Sequence, residues 1–249
     1  MDFTTVIIIW ICAVALVAGF TQGVAAFGFS VICTPLLSLV APVKVSIPMA
    51  AVCGCVATLP MIAALWRHVL WKPVLVLVAS AVPGVWLGAW LLRDVPANGI
   101  VVAMGLVLVA VGVFQLRGGR VPEAWRGRAL GAVCGFLSGA IGAVTATPGP
   151  PVIVYTSLQA WDVREAKAVL SVFFLLQACV IVPVYGMHGL LTREVGVACA
   201  WGAPFVAVGM AGGMWLSHLW RERALLMRRV IYGAVLLLGV SMLAKAFLG

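Results

Sequence analysis

Charge is what this sequence has least of. Only 9% of its 249 residues are Asp, Glu, Lys or Arg, against roughly 25% in an ordinary soluble domain, while 64% are apolar. That balance excludes a soluble globule and a disordered chain. Carboxylates are scarcest. Asp2, Asp94, Glu123, Asp162, Glu165, Glu194 and Glu222 all fall in loops or at the ends of apolar runs, so none is placed inside a bilayer to relay protons or hold a cation. A proton pump or cation transporter is therefore disfavoured. HExxH, GxSxG and paired carboxylates near an apolar cavity are also missing, so neither catalysis nor a cofactor is expected. The seven cysteines form no CxxC pair and read as small, buried, reduced residues. His68, His188 and His218 lack ligand spacing, and no metal is expected.

What remains is a chain of long apolar runs. Eight charge-free segments can be read: Val6 to Leu39, Val45 to Trp66, Pro73 to Leu92, Asn98 to Leu116, Ala129 to Ala160, Ala168 to Gly186, Val195 to Leu219 and Val230 to Phe247. At about 20 residues per crossing they describe one all-α polytopic membrane domain over residues 1–249. The formal net charge of +9 sits between these segments, where the bilayer's charge rule accounts for it without a nucleic-acid partner. The start, Met-Asp-Phe-Thr-Thr, has no basic n-region, so the first segment is expected to stay in the mature protein.

The pattern of one long segment and three shorter ones occurs twice, and residues support a repeat. Gly19-Phe20-Thr21-Gln22-Gly23 aligns with Gly135-Phe136-Leu137-Ser138-Gly139, Pro35 with Pro151, and Gly84 and Gly88 with Gly209 and Gly213. The expected division is a first repeat at about 1–116, a connector at 117–128 and a second repeat at about 129–249.

The two long segments are each too long for one crossing, and each has a break rich in Gly, Ser, Thr or Pro: Thr21 to Ser30 and Ser138 to Pro151. Each is either one tilted crossing or a re-entrant hairpin of two short helices. Charge decides between them. If both return to their starting side, 12 Lys/Arg face one side and 4 the other; if both cross once, the bias vanishes. Since Lys and Arg collect in the cytoplasm, the expectation is two hairpins, three full crossings after each, and halves inverted relative to one another. Both termini would lie outside the cytoplasm.

Inverted halves with broken helices are the architecture of secondary transporters, with substrate held between the repeats. Irregular backbone at that depth survives only where protein or a wet cavity satisfies it. Candidate binding residues are therefore Thr21, Gln22, Gly23 and Ser30 in the first break, and Ser138, Gly139, Thr145, Thr147 and Gly149 in the second. A half-helix starting there aims free N–H groups and the positive end of its dipole at an anion. Ser30 and Thr147 are the expected N-caps. Because Pro148, Pro150 and Pro151 lack N–H groups, hydroxyls of Thr145 and Thr147 are expected to act as donors. Thr58, in an unbroken segment, is expected to lie outside the site. A small anion and the lipid bilayer are the expected partners, with homo-oligomerisation left open. The alternative is a non-transporting membrane subunit or a membrane-embedded enzyme.

Two halves that each open with Gly-Phe-x-x-Gly, then a small-residue cluster, then Pro and aliphatics (Gly19 to Leu37, Gly135 to Val154), resemble the sulfite exporter TauE/SafE family of bacterial permeases. Pro83-Gly84-x-x-Leu87-Gly88 and Gly209-x-x-x-Gly213 match the same pattern. The resemblance covers essentially the whole chain. It implies export of sulfite, organosulfonates or related organic acids across the inner membrane. Where the family commonly runs glycines, this chain has Val24 to Gly28 and Ala140 to Thr145, which points to a somewhat larger or more amphipathic anion.

Overall fold

The computed structural model describes residues 5–25, 27–117, 127–219 and 224–248. Among these the chain is helical with no strand. The helices are α1 (Thr5–Ala25), α2 (Phe29–Leu37), α3 (Val43–Leu65), α4 (Trp71–Asp94), α5 (Ala97–Leu116), α6 (Arg128–Thr145), α7 (Gly149–Leu158), α8 (Val163–Met187), α9 (Arg193–Leu219) and α10 (Ala224–Leu248). By length and composition α1, α3, α4, α6, α8 and α9 can each cross a membrane, while α5 and α10 carry shorter apolar stretches, Asn98–Ala110 and Gly233–Ala244. Most of the expected connector, and both extreme ends of the chain, lie outside the described residues.

The long segments do break, but into unequal limbs. α1 and α6 have 21 and 18 residues, α2 and α7 only 9 and 10. The breaks are narrower than expected because their hydroxyls support the helix instead of opening it. Thr21 donates to the Val17 carbonyl at 2.9 Å and Thr145 to the Ile141 carbonyl at 2.7 Å, each one turn back. The chain turns at Gly28, with φ +102°, and at Ala146, with φ +55°. That left-handed backbone costs an alanine about 1–2 kcal/mol.

The caps also differ from expectation. Gly28 caps α2 while Ser30 stands inside the helix, because the Gln22 side chain already accepts the Phe29 N–H at 3.0 Å. Pro148 precedes α7 as its N-cap, with Thr147 one residue earlier. By contrast α8 starts as its sequence dictates, on a reciprocal capping box between Asp162 and Glu165.

Four Gly-xxx-Gly pairs join the helices at two seams. Gly19 and Gly23 of α1 meet Val206, Met210 and Gly213 of α9, and Gly209 and Gly213 in turn meet Leu16 and Phe20. Gly135 and Gly139 of α6 meet Leu77 and Ala81 of α4, with Gly84 and Gly88 against Phe136 and Ala140. A Cβ at any of these eight positions would collide with backbone of the facing helix, so the helices approach closely only because the side chains are absent. Contacts advance together along each seam, so α1 runs parallel to α9 and α4 parallel to α6. α5 and α10 are antiparallel, with Gly105 against Leu243 and Gly112 against Leu236.

Polar bonds fix which ends lie together. The Trp10 indole donates to the Leu36 carbonyl at 2.9 Å, Lys44 to the Arg93 carbonyl at 2.7 Å and Asn98 to the Ala246 carbonyl at 3.3 Å. The starts of α1, α3 and α5 thus share one end of the bundle with the ends of α2, α4 and α10.

Candidate functional site

The two breaks meet. They border a cavity of about 70 Å³, several times the ~10–15 Å³ that one water needs. Phe27 to Val31 and Ala146 to Gly149 line it, with Gln22 of α1 and Gly142 of α6. α3 contributes Ala51, Gly54 and Thr58, and α8 contributes Phe174, Gln177, Ala178 and Ile181. Among the described residues no charged side chain lines it.

The first break presents donors. With Gly28 as cap, Phe29 bonded to Gln22 and the Ile32 N–H bonded to the Gly28 carbonyl at 3.1 Å, the N–H groups of Ser30 and Val31 have no acceptor within the helix. They stand at the positive end of the α2 dipole.

In the second break the hydroxyl protons are spent. Ser138 donates to the Pro148 carbonyl, and Thr145 donates to the Ile141 carbonyl. Thr145 Oγ1, its own proton used, accepts from the Thr147 N–H at 3.3 Å and touches Thr147 Oγ1 at 2.5 Å. A carbonyl cannot donate, so the proton between the two hydroxyls belongs to Thr147. Neither hydroxyl proton is then left for the cavity that Thr147 lines, counter to the expectation that Thr145 and Thr147 act as donors. Gln177 Nε2 donates to the Ser138 carbonyl at 3.1 Å, which fixes the orientation of its amide and leaves Oε1 buried without a partner.

Of the sequence candidates, Gln22, Ser30, Thr147 and Gly149 line the cavity. The other five stand behind it. Thr21 bonds within its helix, Gly23 and Gly139 form the seams, Ser138 holds the second break, and Thr145 anchors Thr147. Gln177, Phe174 and Thr58 were not legible as wall residues. Thr58, expected outside, lines the cavity with its hydroxyl donated to the Cys55 carbonyl at 2.9 Å.

A family model described as Sulfite exporter TauE/SafE matches residues 11–242. The chain belongs to the TauE/SafE family. As a TauE/SafE protein with six helices able to cross a bilayer, it is a multi-pass membrane protein of a family of sulfur-anion transporters. No curated protein and no solved structure matches the chain. The Gly-Phe-x-x-Gly segments that prompted the TauE/SafE resemblance provide both seam glycines and, through Gln22 and Ser138, the side chains that shape the two breaks.

Proposed function

We propose that this TauE/SafE protein is a secondary transporter that exports a small sulfur-containing monoanion across the bacterial inner membrane, binding it in the cavity between the two breaks. The observation that carries the reading is an uncharged cavity at the meeting of two interrupted helices, with the donor end of α2 opening into it. Each helix start contributes up to about half an elementary charge, enough to favour a monoanion. A tightly hydrated dianion would lose several kcal/mol of solvation that this neutral wall does not return. The aromatic rings of Phe27, Phe29 and Phe174 suit an organic tail.

The halves are proposed to be inverted and to work by alternating access. Supporting this, α1 and α9 start at the end of the bundle holding Arg93, whereas α4 and the parallel α6 start at the other. The reciprocal seams support it too: the first helix of each half lies on the fourth helix of the other. Rocking one half against the other would then open the cavity to alternate sides. Both termini and the Arg93 and Arg193 loops are proposed to face outside, a reading that the distribution of Lys and Arg supports.

Proteoliposomes containing the purified protein test the reading at clamped membrane potential. Labelled hydrogen sulfite or a short sulfonate is expected to move, with a current whose sign follows the anion, or as electroneutral flux if a proton travels with it. Transport of a cation or a neutral sugar, with no response to sulfonates, would overturn it.

A further inference from the structure

Two acceptors in the cavity's lining residues have had their own protons committed elsewhere, while the start of α2 has donors to spare. α2 offers the Ser30 and Val31 N–H groups. The second break contributes Thr147, whose hydroxyl proton is committed to Thr145, and α8 contributes Gln177, whose Nε2 is committed to the Ser138 carbonyl. Gln177 is 3% exposed and its Oε1 has no partner. Beside them the Ala146 and Gly149 N–H groups make no helix bond, whereas Pro148, Pro150 and Pro151 have no N–H to offer.

An acceptor buried without a partner is unfavourable and is relieved by a ligand that brings a proton. We infer that the ligand is an anion that also carries an O–H or N–H donor, with its charged oxygens on α2 and its donor on Gln177 Oε1 and Thr147 Oγ1. Hydrogen sulfite satisfies this through its own proton, and a sulfonate does so through a hydroxyl or amino group on its short chain. Sulfate, which has lost its protons near neutral pH, does not. Gln177 and Thr147 are then the residues that set specificity, by rejecting anions without a donor.

The inference rests on the cavity being the anion site, and a matched pair of ligands separates the two ideas. Hydroxymethanesulfonate and ethanesulfonate have the same charge and nearly the same size, and differ by a hydroxyl in place of a methyl. Binding of each is measured by calorimetry on the full-length protein in nanodiscs, for the native sequence, Gln177→Met and Thr147→Val. The native protein is expected to bind hydroxymethanesulfonate tenfold or more tightly than ethanesulfonate. In each variant the ratio is expected to fall toward one, chiefly by loss of affinity for the hydroxyl ligand. Equal binding of the two ligands by the native protein overturns the donor rule while leaving the anion site standing, and this comparison needs no variant to fold. A preference retained in both variants removes these residues from the role. Binding of neither ligand overturns the anion site and the donor rule together.

Discussion

Gln22 has two tasks, since it caps α2 through the Phe29 N–H and forms part of the cavity wall. Gln22→Glu separates them. A carboxylate accepts the same N–H, but at 3% exposure its desolvation outweighs the about 0.3–1 kcal/mol that a surface carboxylate gains at a helix N-terminus. With negative charge in the anion's place, sulfonate binding should fall at least tenfold by calorimetry, and the thermal midpoint should drop more at high pH than at low pH, where the carboxyl is protonated. Gln22 was legible in the sequence because it lies in a Gly-Phe-x-x-Gly segment beside a break. Gln177 and Thr58 were not, because each lies in an apolar helix without a break and looks no different in sequence from Ser171 of α8 or Ser46 of α3, and only the packing of α3 and α8 across the breaks brings them to the cavity. The roles of Thr145 and Thr147 could not be read either. Both can donate or accept, and the choice depends on the Ile141 carbonyl one turn back.

At the scale of elements, stability rests on helices in backbone contact. Gly209→Val would drive a side chain into the Leu16 carbonyl of α1, and overpacking of this kind costs typically about 1–3 kcal/mol. The expected result is a lower thermal midpoint in detergent. Gly196→Ala, in the same helix with no atom near its added methyl, should be neutral or stabilising by up to ~1 kcal/mol. The glycine spacing was visible in the sequence as a repeat, and the eight long apolar runs anticipated where helices would lie. The unequal limbs of the hairpins were not visible. A run of Gly, Thr and Ser reads as a break, yet a hydroxyl that bonds back by one turn keeps the helix intact through Thr21 and Thr145.

At the scale of the molecule, the proposed orientation makes a direct prediction. In a cysteine-free background, single cysteines replacing Arg93 and Arg193 should react with an impermeant maleimide added to intact cells, and one replacing Lys72 should react only after permeabilisation. Labelling of position 72 from outside would reject the proposed orientation. The reciprocal seams also bear on how the protein is made. Cys12 of α1 reaches the Trp201 carbonyl of α9 across 189 positions of sequence. At roughly 5–20 residues per second, the ribosome needs about 10–40 s to supply that partner. Through this interval α1 sits in lipid with the groove along Gly19 and Gly23 unfilled, and α4 waits more briefly for α6. Neither half can therefore bury its own first helix, and a chain truncated before α9 leaves an orphan helix for membrane quality control to remove.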